Sequence, residues 1–274
     1  MSTEQFIVDL DRCKHDGLCA LECPLGLIEL DDAGNPVPVA DFDQNCVFCG
    51  HCLSVCPAAC LTVRGADSAS LPEAPRDPVA GNGLNPSGIH AWMAARRARR
   101  LWKDAPVDRA VIERCLETAR YAPSGINMQP VHWLVLHDTA KVRELTRLVA
   151  EALRVDPEFG VKFASYLVAY DAGHDVILRS APHVLIAHAD ASGWYDPATD
   201  AVIALSHFEL AAHGEGVGTC WAGVLRRAAE TSPAVREFLA LPEGHNVYGA
   251  LMLGWPKGFL RRLPPRKPVD VAWR

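Results

Sequence analysis

Cys46, Cys49, Cys52 and Cys56 stand at the spacing C-x2-C-x2-C-x3-C, with Pro57 directly after them. No other pattern in the 274-residue chain restricts its folding as much. Three thiolates on one tight loop can grip three irons of a cubane cluster. The fourth, carried outward by the next helical turn, ligates a different cluster. A tetrahedral zinc site needs two close pairs, so a run of four is not its economical form. Disulfide bonding or plain burial of the thiols is the remaining alternative.

A second run lies upstream. Cys13, Cys19 and Cys23, followed by Pro24, repeat the frame with Asp16 where the second cysteine belongs. On this reading one cluster takes Cys13, Cys19 and the distant Cys56, with Asp16 facing its fourth iron. The other takes Cys46, Cys49, Cys52 and the distant Cys23. The pairing resembles that of bacterial two-cluster ferredoxins over residues 3–64. A carboxylate is a harder ligand than a thiolate and holds iron less firmly. The cluster at Asp16 is therefore a 4Fe-4S cubane with an oxygen ligand, or a 3Fe-4S cluster. Cys60 lies outside the repeated frame and reads as a packing residue.

Ten cysteines could mark a secreted disulfide scaffold, but eight of them fall within the first 60 residues at cluster spacing. The N-terminal residues show neither a basic flank nor an apolar core. The expectation is a reducing cytoplasm, with no signal peptide and no membrane span. The length suggests two domains, and a hydrophobic content of 49% supports a sizeable core. A net charge of −6 argues against a general nucleic-acid binder. Residues 1–64 carry ten acidic and three basic side chains, whereas the remainder is close to neutral. Such an acidic module fits docking of a redox partner and equally fits a solvated face.

Gln5–Asp9 reads as a strand, Leu27–Leu30 and Val37–Val39 as a hairpin, and Cys60–Val63 as a closing strand. Residues 65–87 are rich in Pro, Gly, Ser and Ala and read as a linker, long enough to let the first domain reach a neighbouring subunit. From Gly88 a second domain begins. Helices are expected over Ile89–Arg100, after Asp108 as cap, and from Thr139 as cap to Leu153. Strands are expected over Val131–His137, His183–His188 and Tyr248–Gly254. Pro197 opens a helix to His213 that is apolar on most sides, which means burial in a core or a subunit interface.

Three separated stretches of this domain carry chemistry. Arg96, Arg97 and Arg100 are spaced so that a helical end could present them to a phosphate; a solvated basic face is the plainer alternative. Pro123, Ser124, Gly125, Asn127 and Gln129 offer donors and acceptors to a flat polar heterocycle, with a glycine that permits close approach. Thr219, Cys220, Trp221, Ala222 and Gly223 form a turn of mostly small residues behind the apolar helix. The glycines at 214, 216 and 218 follow a helix rather than a strand, so a dinucleotide-binding loop is excluded by context. No base can be assigned to Cys220, Cys115 reads as core, and the scattered histidines read as structural.

Together with Pro265–Pro268 in the tail, these stretches resemble the nitroreductase family over residues 88–274, and the whole chain resembles a ferredoxin–nitroreductase fusion. The resemblance implies an α+β fold around a mostly antiparallel sheet, and an obligate homodimer with FMN at its interface. It further implies that Arg96, Arg97, Arg100 and Arg266 hold the FMN phosphate and ribityl chain. Ser124, Asn127 and Gln129 would contact the isoalloxazine, and Thr219–Gly223 would line it. Ala98 stands where the family usually carries a hydroxyl, and Val131 where an aromatic is common. In such enzymes the flavin carries the electrons, so no catalytic triad is expected.

The expected activity is electron relay from a low-potential donor such as ferredoxin, through the clusters and FMN, to an oxidised organic acceptor. A nitroaromatic, quinone or activated alkene fits that role. NAD(P)H-driven reduction with secondary clusters is one alternative. A redox sensor or carrier without turnover, suggested by Asp16, is another.

Overall fold

The computed structural model describes residues 5–72, 85–192, 196–258 and 260–274. Residues 1–4 and the expected linker's 73–84 lie outside these. Two compact units divide the chain: Met1–Asn85 with Ile126–Met128, and Pro86–Gly125 with Gln129–Arg274.

The first unit runs β1 (Phe6–Val8), α1 (Leu18–Leu21), β2 (Ile28–Leu30), β3 (Pro36–Pro38), α2 (Phe42–Asn45), α3 (His51–Val55), β4 (Leu61–Val63) and β5 (Ala66–Asp67). β1 pairs antiparallel with β4, and β2 with β3. The expected strands and hairpin are thus present. The sheet also continues past residue 64, because β5 folds back on β4 and Ser68 Oγ accepts from Leu61 N at 2.9 Å. Phe6, Leu27, Ile28, Phe42, Leu53 and Leu61 form a core between the two cysteine runs.

The second unit runs α4 (Pro86–Ala95), α5 (Arg109–Ala119), β6 (His132–Leu136), α6 (Thr139–Val155), α7 (Phe159–Lys162), α8 (Ala164–Asp171), β7 (His183–Asp190), α9 (Pro197–Gly214), β8 (Gly218–Trp221), α10 (Gly223–Thr231), α11 (Pro233–Leu239) and β9 (His245–Gly254). Its four strands form one antiparallel sheet in the order β6-β7-β9-β8. Helices cover both faces, which explains the apolar run Val184–Ala187 in β7. Val184 and Ile186 meet α6, α10 and α11 on one face, while Leu185 and Ala187 meet α5 and α9 on the other. Each such fully buried aliphatic side chain contributes about 2 kcal/mol.

Three local expectations are corrected. α4 stops at Ala95, so Arg96–Arg100 are not a helical end. They run extended, with Arg99 N donating to Thr219 O at 2.7 Å. α6 is capped by Asp138, whose carboxylate accepts from Ala140 N, rather than by Thr139; the Thr139 hydroxyl turns to Pro182 O instead. Asp108 precedes α5 without a side-chain capping bond. In α9, Asp196 accepts from Ala198 N and Thr199 N, and Pro197 occupies the first turn as its fixed φ favours. Ala201, Leu205 and Phe208 of α9 are buried, whereas Val202 is 44% exposed. Among the described residues, no helix is long and apolar enough to cross a membrane.

His132, His188 and His245, from three adjacent strands, meet at one end of the sheet. His188 Nδ1 lies 2.9 Å from His245 Nδ1, so one ring donates an N–H to the other. The His132 ring stacks on that of His188. Burial, then the neighbouring His245 and His132, push the His188 pKa from 6.5 down to about 4. Unfolded, this imidazole takes a proton that it refuses in the native state, so stability present above 6.5 is lost as pH falls toward 4. The denaturation midpoint in urea is expected to drop across that window, and the drop is expected to be shallower in His188→Phe.

Candidate functional site

Two cavities in the first unit are lined by the expected ligand sets. One is lined by Cys23, Cys46, Cys49 and Cys52. The other is lined by Cys13, Asp16, Cys19 and Cys56, with Cys60 beside them. The two cysteine runs also repeat in backbone conformation. His15 and Gly17 flank Asp16 at φ 52° and 69°, and Phe48 and Gly50 flank Cys49 at φ 48° and 74°. Asp16 therefore occupies the same place in its loop as Cys49. Left-handed geometry at His15 and Phe48 is costly for residues with a Cβ and clusters at functional sites.

The donor set suits iron–sulfur ligation. Backbone N–H groups point at Cys13 Sγ from His15 (3.4 Å) and at Cys23 Sγ from Leu27 (3.3 Å). Asp16 lines its cavity, and its Oδ1 accepts from Leu18 N at 3.1 Å. Burial, then the neighbouring Cys49, Cys46 and Cys23, push the Cys52 thiol up to about 11. Burial raises Cys19 in the same direction. Thiols so placed ionise when a metal supplies the compensating charge.

The second unit holds a basic cleft of about 480 Å3. Arg96, Arg97, Arg99 and Lys103 line it opposite Gly216–Thr219. Arg97 Nη1 donates to Arg96 O, but its buried Nε has no partner among the described residues. An orphaned guanidinium donor in a cationic cleft fits a phosphate. Gly218 serves packing here, since a Cβ would meet Arg99 Cβ at 2.9 Å.

One buried side chain ties this cleft to the edge strand. Glu209, 5% exposed on α9, accepts from Arg96 Nη1 at 3.2 Å and Thr219 Oγ1 at 2.8 Å through one oxygen. Its other oxygen accepts from Trp221 Nε1 at 2.8 Å. Sequence reasoning passed over Glu209 and Arg99. The signal for Glu209 was an acid in the apolar second half of a helix, which cannot be buried without partners.

The remaining expected residues are placed as follows. Cys220 is buried, and burial raises its pKa against the opposing pull of Arg100 and Arg179. Ala222 N donates to Ala250 O, and α10 begins at Gly223, leaving its first N–H groups without helical partners. Ser124 Oγ accepts from Gln129 N at 2.9 Å, and Gly125 N donates to Asp200 Oδ1 at 3.1 Å. Ile126, Asn127 and Gln129 are all left-handed, at φ 42°, 58° and 47°. Asn127 Nδ2 donates to Val47 O and Phe48 O within the first unit. Pro123 is exposed in the same loop. Arg100 and Arg266 do not line the basic cleft; Arg266 is exposed, and its Nη1 donates to Pro265 O.

Residues 93–255 match the nitroreductase family, and residues 5–57 match the 4Fe-4S dicluster domain. The chain belongs to the nitroreductase family. A candidate NADH dehydrogenase/NAD(P)H nitroreductase of Archaeoglobus fulgidus is 32% identical to it over 162 residues, 59% of this chain and 82% of that protein. A ferredoxin of Methanothermococcus thermolithotrophicus is 37% identical over 59 residues, 21% of this chain and 93% of its own length. A nitroreductase with bound FMN from Bacteroides fragilis shares the fold at TM-score 0.58 and 24% identity, over 69% of this chain and 98% of its own. This nitroreductase is thus a flavin-dependent oxidoreductase fused to a ferredoxin-like 4Fe-4S domain.

In this nitroreductase, Glu209→Ala strands three donors at once. Breaking a buried ion pair with its hydrogen bonds costs about 3 kcal/mol. A loss of that size in thermal or chemical unfolding is expected, together with weaker retention of flavin absorbance after gel filtration.

Proposed function

We propose that this nitroreductase is an FMN-dependent enzyme in which two iron–sulfur clusters relay electrons from a low-potential, ferredoxin-like donor to the flavin, which reduces an oxidised organic acceptor. A nitroaromatic, quinone or activated alkene suits the final step. The observation that carries the reading is the pair of cavities, each lined by one complete ligand set, on the same chain as a nitroreductase domain. Iron–sulfur clusters pass electrons singly, and FMN can collect two before reducing an acceptor.

In this reading Cys23, Cys46, Cys49 and Cys52 hold one cluster, and Cys13, Asp16, Cys19 and Cys56 hold the other. Arg96 and Arg97 neutralise the FMN phosphate, aided by Arg99. Glu209 fixes Arg96, Thr219 and Trp221 so that the edge strand presents a constant surface to the ring. Ser124, Asn127, Gln129, Arg100 and Arg266 belong to the flavin set by family resemblance. The half-exposed outer face of α9 supports homodimerisation.

Anaerobically purified protein is expected to contain about eight irons, or about seven where Asp16 releases one, with one FMN per chain. Low-temperature EPR distinguishes the two, since a three-iron cluster is paramagnetic when oxidised. Asp16→Cys is expected to remove any such signal and raise the iron content. Reduced ferredoxin is expected to support faster acceptor reduction than NADH or NADPH. Clusters that dithionite reduces while the flavin stays oxidised overturn the relay, and absence of FMN overturns the enzyme reading.

A further inference from the structure

The cavity lined by Cys13, Asp16, Cys19 and Cys56 differs from its counterpart in two respects. One of its four donors is a carboxylate, and Asp16 is exposed. It also holds a fifth donor, the buried Cys60, which the four-ligand frame does not use. The cavity of Cys23, Cys46, Cys49 and Cys52 has neither feature among the described residues. A carboxylate holds iron less firmly than a thiolate. The weakest ligand of the unit and a spare thiol therefore share one cavity.

The backbone aims that thiol at a particular sulfur. Residues 56–60 form a tight turn, closed by Ala59 N donating to Cys56 O at 3.1 Å. Ala59 is left-handed at φ 46°, a costly conformation for a residue with a Cβ, and it brings Cys60 back over Cys56. Cys60 N points at Cys56 Sγ (3.5 Å), and the two Sγ atoms lie 3.5 Å apart. Bonded sulfurs stand about 2.0 Å apart, a gap that rotation of the two side chains can close. Arg12 Nη2 holds the turn from outside through Ala58 O at 2.7 Å, and Asp9 N donates to Cys60 O at 2.9 Å. Cys13 is a second sulfur neighbour of Cys60. Cys60 is 6% exposed and Cys56 more so, and an oxidant from solvent therefore meets Cys56 first.

We propose that Cys56 and Cys60 form a reversible disulfide, which takes Cys56 out of the ligand set when hydrogen peroxide strips iron from this cavity. Asp16 releases its iron first, and loss of the remaining iron leaves Cys56 as a free thiolate. The Cys56 sulfur attacks one peroxide oxygen; the O–O bond breaks, a proton is taken up, and a sulfenic acid and one water result. The Cys60 sulfur then attacks the Cys56 sulfur. The S–S bond forms, the S–O bond breaks, and the oxygen leaves with the thiol's proton as a second water. Two electrons have passed from the sulfur pair to the peroxide. The bond shields Cys56 from irreversible oxidation until a thiol reductant reopens it. The inference rests on the proposed function for the cluster at this cavity.

The test is titration of anaerobically purified protein with hydrogen peroxide, followed by iron analysis and by alkylation with different reagents before and after reduction. Tandem mass spectrometry then locates the second label. Iron loss is expected to place that label on Cys56 and Cys60, and dithiothreitol with iron and sulfide is expected to restore the iron content. In Cys60→Ser and Cys60→Ala, the same dose is expected to leave Cys56 as sulfinic or sulfonic acid and to cut iron recovery about fivefold or more. Asp16→Cys is expected to raise the dose required. Pairing of Cys60 with Cys13, iron loss with Cys56 and Cys60 both still thiols, or equal iron recovery with and without Cys60 overturns the proposal. Untreated protein with about four irons and both thiols free counts against the proposed function alone, and the pairing can still be mapped on it.

Discussion

A carboxylate can enter an apolar layer only with its partners, and in this nitroreductase Glu209 brings three. Its helix, α9, packs against the sheet through Ala201, Leu205 and Phe208. The same helix carries Glu209 to the sheet edge, where Thr219, Trp221 and Arg96 close around it. The arrangement turns a core helix into the support of a binding cleft. Arg96 is held at the basic cleft, and the strand beneath is locked by two hydrogen bonds that rise from its own side chains. Arg97, which has no such tether, keeps a donor to spare.

The ferredoxin-like unit follows a different rule. Its core is small, and its two cysteine runs are bent into shape by left-handed residues at matching positions. That bend is unfavourable in isolation and brings four sulfur or oxygen donors around each cavity. Asp16 inherits the backbone of a cysteine site and the side chain of a helix cap, since it also accepts from Leu18 N. One residue thus serves the loop and lines the cavity together.

Much of this was legible in local chemistry. The cysteine spacing grouped the residues that line each of the two cavities before any coordinates. The apolar run from His183 marked the central strand, and Asp196-Pro197 marked the start of α9. What failed was local in another sense. Thr139 was the expected cap of α6, yet Asp138 took the role because a carboxylate one position earlier reaches Ala140 N. Arg96–Arg100 continued a helical pattern on paper, yet the segment joins the sheet edge through Arg99 N and Thr219 O. Competition between helix propensity and an unpaired strand edge is settled by the tertiary partner.

The sequence by itself determined the ferredoxin-like and nitroreductase parts of the chain and named the residues that line each cavity of the first unit. Those features depend on residue identity at short spacing, where geometry is nearly fixed by covalent connection. Only the tertiary structure decided which arginines share a cleft. The basic segment became extended, so Arg96, Arg97 and Arg99 line one cleft while Arg100 turns to another with Arg143 and Arg179. It also decided that Glu209 of α9 is a hub, because its three partners arrive from positions up to 113 residues away. Long-range pairing of buried polar groups is governed by who else is desolvated at the same place, and no window of sequence contains that information.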